Sequence, residues 1–338
     1  MDFNELNNVS KKTHVIDKKS SISRLSKPEK AEFTDVNAMC RACRSKHFSG
    51  KSNEESGLFL QTLNITYPIK LDADFFFSPT LLSDSGYKKI SSFPLYILIG
   101  LTGSGKSTLI KNLTKTLHHL TVLPNRREIT SKCIIEPLQL FSGKPIAELQ
   151  RTDRYFYVSR FREFYPEGMA YILDNIYIKN NNYPCLIFDG LRNYNEVKYA
   201  IEKFPKAFFI ALTTSDFSRM NRLMYREDPY DILSRPCYRI PEKKITKLSE
   251  IDELFSVFDF SEIEKNKIID LINASNDEFY KVSGFLKILA KDKQLNNLYS
   301  SIALLKKYAL GKSCIYNNTY SEATEIAEKV LREVFEII

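Results

Sequence analysis

Eight consecutive residues, Gly100–Ser107, carry the chemistry that is easiest to interpret in this sequence. They read Gly-Leu-Thr-Gly-Ser-Gly-Lys-Ser and fit the pattern G-x-x-x-x-G-K-[ST] at every defined position. Glycines at this spacing let main-chain N–H groups curl inward around phosphate oxygens. Lys106 supplies a mobile charge for the β- and γ-phosphates, and the Ser107 hydroxyl is a hard ligand for Mg²⁺. The segment therefore predicts a site for a nucleoside triphosphate.

The segments on either side of this loop favour the same interpretation. An uncharged strand pattern, Leu95–Ile99, precedes it, and leucines recur every four residues in the helical pattern Ser107–Leu117. A helix that begins near Lys106 directs the positive end of its dipole toward a bound phosphate. The chain thus resembles the P-loop nucleoside triphosphatases, over residues 95–240 and roughly the last 25 residues.

The resemblance implies ATP with Mg²⁺ as the bound nucleotide. No Asn-Lys-x-Asp run, the usual signature of guanine specificity, occurs in the sequence. The nucleotide-binding residues that the motif implies are Gly100, Leu101, Thr102, Gly103, Ser104, Gly105, Lys106, Ser107 and Thr108.

Asp189 directly follows a second apolar strand pattern, Cys185–Phe188. The resemblance implies that this carboxylate is the second Mg²⁺ partner, through water, or the base that takes a proton from the acceptor. A simple turn role is the alternative, since many strands end in Asp. Many related kinases carry an acidic residue where Leu101 and Thr102 stand here, so Asp153 and Asp189 are the two candidate bases.

The residues after Asp189 are similar to those of small-molecule and nucleotide kinases, such as the dephospho-coenzyme-A kinase and nucleoside monophosphate kinase group. In these kinases an arginine beside the carboxylate contacts the acceptor or its phosphate. Arg192 occupies that place, so the resemblance implies a catalytic role for it. The alternative is an ordinary salt bridge to the helix expected at Asn195–Phe204.

Three arginines follow the strand pattern Ala207–Leu212. Spacings of three and four place Arg219, Arg222 and Arg226 on one face of a predicted helix. Nucleotide kinases have lid arginines here, and guanidinium groups grip phosphates bidentately. The resemblance implies that Arg222 is catalytic and that the other two bind ATP; a solvated basic face is the alternative. Two further arginines could extend the lid: Arg235 and Arg239.

Arginine and aromatic residues alternate densely in the segment Arg151–Tyr165. It lies where nucleotide kinases bind the acceptor, and its side chains could stack on a base and hold a phosphate. The same composition suits single-stranded nucleic acid. A helix packed on the core, with arginine stems lying along apolar surface, is the third interpretation. Pro124–Glu128 adds a second polar loop in this region.

The order of the predicted elements indicates the fold class. Two buried-strand patterns, Cys185–Phe188 and Ala207–Leu212, flank the helical pattern Asn195–Phe204, which argues for a right-handed parallel crossover. We expect an α/β protein of the P-loop type. It would have three α/β/α layers around a mostly parallel sheet, with a helical insertion and a disordered N-terminal arm.

The last third of the chain predicts helices and then a return to the sheet. Ser261 and Glu264 form a capping-box pattern. Four apolar residues suggest one helical stripe, with Gly311 as its C-cap: Leu295, Leu298, Ile302 and Leu305. Ser313–Tyr316 is typical of a strand, and Ser321 of the cap of a last helix.

These patterns divide the chain into five parts. We expect a disordered basic arm, a small extended or hairpin lead-in, a P-loop core, a helical insertion, and the last strand and helix of the core. Their expected ranges are 1–54, 55–94, 95–240, 241–311 and 312–338.

Composition restricts the class of protein, the metal sites and the localisation that we expect. The 338 residues carry a net charge of +8, and 43 % are apolar, which suits a globular protein that handles phosphates or one with a lysine-rich surface. Cys40, Cys43 and His47 are three of the four ligands that a closed zinc site needs, so free thiols are the prediction. Without an apolar run long enough for a membrane span or a secretory signal, we expect a cytoplasmic protein without membrane contact.

Three functions remain at this point. The first is phosphoryl transfer to a small molecule or nucleotide. The second is a bacterial-style ATPase or nucleotide switch in a regulatory or defence assembly, with 241–311 as the region that binds a protein partner. The third is a kinase that acts on a polynucleotide, and nucleic acid is the less favoured partner.

Overall fold

The computed structural model describes residues 68–80, 86–141, 149, 151–179, 183, 185–226, 238–321 and 323–336. All of them belong to one compact unit, Lys51–Ile338. Several expectations lie outside the described residues. These are the arm at 1–54, the first part of the lead-in, Arg235, and the group of Cys40, Cys43 and His47.

The strands are short and include every buried apolar run named above. In the described part of the chain they are β1 (Ile69–Lys70), β2 (Phe75–Phe77), β3 (Lys88–Lys89), β4 (Leu95–Ile99), β5 (Leu120–Val122), β6 (Ile176–Ile178), β7 (Cys185–Leu191), β8 (Ala207–Thr213) and β9 (Ser313–Asn317).

Five of these strands form one parallel sheet in the order β5-β7-β4-β8-β9. Strand β4 lies at its centre, where an uncharged run is required because both faces are covered. Ile97 pairs with Phe188 on one side and Phe209 on the other. Ile97 packs into one core and its neighbour Leu98 into the other, so the sheet has an apolar layer on each face.

Helices cover both faces of this sheet. The described α-helices are α1 (Lys106–Thr116), α2 (Arg126–Thr130), α3 (Glu136–Phe141), α4 (Arg151–Phe164), α5 (Gly168–Asp174), α6 (Tyr194–Lys203), α7 (Asp216–Met224), α8 (Glu262–Ala274), α9 (Asn276–Leu295), α10 (Leu298–Tyr308) and α11 (Ala323–Val334). Helices α1 and α11 pack on the face of Leu98, and α6 and α10 on the face of Ile97. The expected α/β class with a parallel sheet is confirmed.

Strand β7 is longer than the sequence pattern indicates, and the extra residues matter for the site. The expected strand stops at Phe188, whereas β7 continues to Leu191. Leu98 pairs with Asp189 but Ile99 pairs with Leu191, so Gly190 is the extra residue of a bulge. Asp189 therefore stays inside the strand, on the same side as Ile187 and Leu98, which is the side that α1 covers.

A small antiparallel sheet, in the order β1-β2-β6-β3, includes part of the expected lead-in. Phe75 and Phe77 of β2, together with Ile90 just after β3, belong to the main core rather than to a separate one. Residues 69–92 thus pack with the parallel sheet, and β6 from the middle of the chain completes their pairing.

The helical region consists of two parts that pack differently. Helices α8 and α9 form a second apolar core with Met220, Leu223 and Met224 of α7. Helix α10 instead packs on α6 in the main core. The expected stripe from Leu295 to Leu305 is wrong as a single helix, because Asn297 caps α10 and separates it from α9. Gly311 lies in the turn before β9, since α10 ends at Tyr308.

Within the described ranges, no helix is both long and apolar enough to cross a membrane.

Candidate active site

The glycine-rich loop, residues Gly100–Gly105, follows the central strand β4 and leads directly into α1. Gly103 and Gly105 have φ angles of +80° and +94°, which side-chain-bearing residues rarely adopt. A Cβ at Gly105 would clash with the side-chain nitrogen of Asn318, and one at Gly103 would lie 3.0 Å from the carbonyl oxygen of Arg219. The glycines are therefore required both by conformation and by close packing.

Three polar side chains from distant parts of the chain hold the loop from behind. The Thr102 main-chain N–H donates to Asp292 Oδ2 at 2.8 Å, and Arg219 Nε donates to the Thr102 carbonyl at 2.7 Å. Asn318 Nδ2 donates to the Ser104 carbonyl at 2.8 Å. The loop is thus fixed by α9, by α7 and by the residue that follows β9.

Lys106, the first residue of α1, is buried and folds back over the loop. Its Nζ donates to the carbonyls of Gly100 at 2.9 Å and Leu101 at 3.0 Å, and lies 4.0 Å from Asp189 Oδ1. Burial lowers the pKa of Lys106 to about 8, although the charge of Asp189 opposes that shift. An anion that binds next to a buried ammonium stabilises its charged form more strongly than it would at an exposed site.

Ser107 and Asp189 lie close together at the mouth of the loop. Ser107 Oγ donates to Asp189 Oδ2 at 3.0 Å. A hydroxyl and a carboxylate are hard oxygen ligands, and Mg²⁺ is usually held by one or two such groups together with substrate phosphates. The pair fits that donor set. Among the described residues there is no group of three or more His, Cys, Asp or Glu that could hold a metal.

A cleft of about 750 Å³ opens over the loop. Six of the nine predicted loop and helix residues line it: Thr102, Gly103, Gly105, Lys106, Ser107 and Thr108. Four predicted residues from elsewhere also line it: Asp189, Arg192, Arg222 and Arg226. Gly100, Leu101 and Ser104 are not among its lining residues, and the Leu101 and Ser104 side chains are buried.

The three arginines expected on one face of a lid helix have separate positions. Helix α7 ends at Met224, so Arg226 lies beyond it. Arg222 lies at the cleft and donates to the Gly103 carbonyl at 3.3 Å. Arg219 is only 1 % exposed and pairs with Asp216 and Asp292 at 3.0 Å each. The expectation that Arg219 reaches ATP is wrong, because these carboxylates and the Thr102 carbonyl hold it behind the loop.

Arg192 and Asp153, also singled out from the sequence, differ in their distance from the cleft. Arg192 Nη1 donates to Thr102 Oγ1 and to Asp292 Oδ1, each at 3.0 Å, so it is tied to the loop and to α9. The alternative salt bridge to the following helix does not account for this side chain. Asp153 is exposed on α4 and does not line the cleft, so Asp189 is the one of the two candidate bases that lies at the cleft.

A second, smaller cavity of about 120 Å³ adjoins the cleft. The segment Arg151–Tyr165 forms α4, whose Tyr157 and Phe161 pack into the core while Arg154 and Arg162 line this cavity. The interpretation of a helix packed on the core is therefore confirmed, whereas the binding of an acceptor or of nucleic acid by this segment stays a prediction.

Glu196, which is completely buried, lies beneath this cavity. Arg126 donates to both of its oxygens, at 2.9 and 2.6 Å, and Arg162 donates at 2.9 Å. The main-chain N–H of Arg192 donates to the same carboxylate at 2.9 Å. Burial raises the pKa of Glu196, but the two guanidinium groups outweigh it, and the pKa lies well below its usual range.

Sequence reasoning missed Asp292, Glu196 and Asn318. A signal for Asp292 exists, because the buried stripe Val282, Phe285 and Leu289 of α9 continues to position 292, where a carboxylate replaces the expected apolar residue. Asn318 directly follows β9, where a polar residue in a parallel sheet faces the ligand edge.

Compared with known proteins, the chain matches no family model and no curated protein.

Proposed function

We propose that this protein binds Mg²⁺–ATP at the glycine-rich loop and transfers the γ-phosphoryl group to a small-molecule or nucleotide acceptor. The observation that carries the proposal is the convergence of Lys106, Ser107 and Asp189. The first two open the helix after β4, and the third lies on the adjacent parallel strand β7. The resemblance of Gly100–Ser107 to P-loop enzymes agrees with it.

Each of these residues has a distinct part in the proposed reaction. Lys106, together with the N-terminus of α1, receives the β- and γ-phosphates. The Ser107 hydroxyl and the Asp189 carboxylate would hold Mg²⁺, which neutralises charge on the phosphates when bound.

Arginines at the cleft supply the charge that phosphoryl transfer requires. An acceptor oxygen forms a bond to the γ-phosphorus while the bond to the bridging oxygen of ADP breaks, and any proton on the attacking oxygen leaves to water. Negative charge spreads over the transferred oxygens in this process, and Arg222 and Arg192 line the cleft where those oxygens would lie. Asp292 and the Gly103 carbonyl hold these two guanidinium groups in place.

A binding experiment tests the nucleotide site. We expect Lys106→Ala to weaken Mg²⁺–ATP binding at least about tenfold, equal to roughly 1.4 kcal/mol. Lys115→Ala is the matched control, because Lys115 is exposed on the same helix and donates to the Asn112 side chain outside the cleft. Equal ATP affinity in parent and Lys106→Ala chains would disprove the proposal.

A turnover experiment tests the reaction. ATP consumption is measured alone and with a panel of nucleosides, nucleotides and RNA. Acceptor-dependent consumption supports a phosphotransferase, and the active compound identifies the acceptor class. Stimulation by RNA alone would instead favour a kinase for polynucleotide ends.

A second candidate function, an ATPase or nucleotide switch, is favoured by one specific contact. Asp292 on α9 holds the main chain of the glycine-rich loop. A nucleotide-dependent movement of the loop would therefore also change the position of α9. Acceptor-independent hydrolysis, accompanied by a change in hydrogen exchange of α9 between ATP and ADP, would favour this function over phosphoryl transfer.

A further inference from the structure

The small cavity beside the cleft has an unusual lining. Five of its lining residues are arginines, and none of the described residues that line it is acidic. The arginines are Arg126, Arg127, Arg154, Arg162 and Arg192; we call this cavity the arginine pocket. Guanidinium groups are the side chains best suited to planar, bidentate recognition of phosphate and carboxylate.

The arginines of this pocket are held in fixed positions. Glu196 orients Arg126 and Arg162 from below, and Arg154 donates to the Arg127 carbonyl at 2.8 Å and to Ser131 Oγ at 3.0 Å. Like charges of this density are costly unless something compensates them. Glu196 compensates part of this charge from beneath the pocket through Arg126 and Arg162, and Asp292 pairs with Arg192.

Two buried donors belong to arginines that line the pocket. Within the part of the chain that the structure describes, Arg162 Nε and Arg192 Nε are both inaccessible to solvent and lack a hydrogen-bond partner. A buried N–H without an acceptor costs roughly 1–3 kcal/mol, so such groups usually mark an absent ligand, ion or water.

The size and position of the pocket restrict the kind of ligand that it can bind. Its volume of about 120 Å³ is below the roughly 300–1,000 Å³ of sites for whole small molecules, so it suits one compact group. Arg126, Arg127 and Arg192 line both the pocket and the 750 Å³ cleft. A compact anionic group in the pocket can therefore belong to a molecule that extends into the cleft.

We propose that the arginine pocket binds the phosphate group of a phosphorylated acceptor, so that the substrate class is a phosphate monoester. The identification of this anion with the acceptor rests on the proposed phosphoryl transfer, whereas the anion site itself does not. A phosphate in the pocket accepts hydrogen bonds from the guanidinium groups that line it.

A substitution on α4 can fill the pocket with the protein's own carboxylate. Val158 lines the pocket and lies four residues from both Arg154 and Arg162, on the same side of the helix. Val158→Glu places a carboxylate between these arginines, which competes with phosphate. Ser159→Glu is the matched control, because it adds the same charge at the next, exposed position of α4.

The decisive measurement is calorimetric titration with inorganic phosphate in a Lys106→Ala background, where the glycine-rich loop no longer contributes. We expect phosphate to bind this background, Val158→Glu to weaken that binding at least tenfold, and Ser159→Glu to leave it unchanged. Val158→Glu should also raise the Tm, since the new carboxylate pairs with arginines. Phosphate binding that is absent, or that is insensitive to Val158→Glu in a folded chain, overturns the proposal.

A second titration in the same background asks which part of the ligand is recognised. AMP should bind and should compete with phosphate, whereas adenosine should not. If adenosine binds as well as AMP does, the nucleoside and not the phosphate is recognised, which contradicts the proposal. If the parent chain does not bind ATP, the proposed function is disproved, but these phosphate and AMP titrations are unaffected. Failure of the proposed function and failure of the anion site are therefore distinguishable.

Discussion

Asp292, a buried carboxylate on α9, accepts a hydrogen bond of 2.8 Å from the main-chain N–H of Thr102, which lies 190 residues earlier in the glycine-rich loop. The same carboxylate accepts from Arg192 and Arg219 at 3.0 Å each. None of the residues described in 241–311 lines the 750 Å³ cleft, yet this one side chain fixes the loop and two arginines around it. The helical region therefore acts on the site through position and charge.

Removing the charge of Asp292 should weaken both the fold and the site. In Asp292→Asn the amide keeps the shape but cannot neutralise Arg192 and Arg219, and breaking a buried ion pair costs about 3–5 kcal/mol. We expect that loss in the free energy of unfolding, measured with denaturant, and weaker Mg²⁺–ATP binding by calorimetry. Asp270→Asn, on the exposed side of α8, is the control. A variant as stable as the parent would show that the buried network contributes little.

Lys106 should make nucleotide binding depend on pH above neutrality. Burial lowers the pKa of Lys106 to about 8, and a bound triphosphate raises it again. ATP binding at pH 8.5 should therefore take up protons, and the affinity should fall as the pH rises further. Calorimetry in two buffers with different ionisation enthalpies measures this uptake, with the parent at pH 6.5 as the reference, where uptake should vanish.

The same pKa shift affects the stability of the free protein. Lys106 has a lower pKa when folded than the ordinary value of 10.5, so between pH 8 and 10.5 the unfolded chain binds more protons. Over that window the free energy of unfolding of the parent should rise relative to Lys106→Met. A constant difference between the two chains across this range would contradict the lowered pKa.

Asp189 should be required for turnover and Asp153 should not. Asp189→Asn removes the charge beside Ser107 that would hold Mg²⁺, and we expect turnover to fall at least about a hundredfold while the fold survives. Asp153→Asn is the control, because this other candidate base is exposed on α4. Rates are measured over a range of Mg²⁺ concentrations. An unchanged rate for Asp189→Asn at saturating Mg²⁺ would reduce Asp189 to a structural residue.

Arg222 should contribute to the rate more than to binding. Its guanidinium donates to the Gly103 carbonyl and to Asn318, which aims it at the cleft. Arg222→Lys keeps the charge but loses the planar fork, so kcat should fall while the ATP affinity changes little. Arg239→Lys serves as the control, since Arg239 is exposed and does not line the cleft. Equal kcat in both variants would show that Arg222 does not contribute to catalysis.

The central part of the fold could be predicted because its signals are local. The uncharged run of β4 is typical of a strand that is covered on both faces, and the glycine-rich pattern indicates the turn that follows it. The capping box at Ser261 and Glu264 is likewise contained in four residues and is present. Patterns of this kind depend on neighbours in sequence, so they can be read without a structure.

The residues that support the site depend on contacts across the chain, which no local pattern contains. Arg219 has the spacing of a lid arginine, but burial against Asp216 and Asp292 decides its role. The bulge at Gly190 follows from the register between β4 and β7. Only the pairing of distant elements determines such features, and the arginine pocket is another of them, since α2, α4 and the residue after β7 all contribute to it.

The clamps of the glycine-rich loop have a consequence for synthesis on the ribosome. Arg219, Asp292 and Asn318 contact the loop from 117, 190 and 214 residues further along the chain. At about 5–20 residues per second, the last of them is translated roughly 10–40 s after the loop itself. A nascent chain therefore displays the complete nucleotide motif well before that motif can become rigid. The loop is translated early but reaches its final conformation only when the last of these contacts forms. A chain that stops before Asn318 carries the motif without the contact that holds the Ser104 carbonyl.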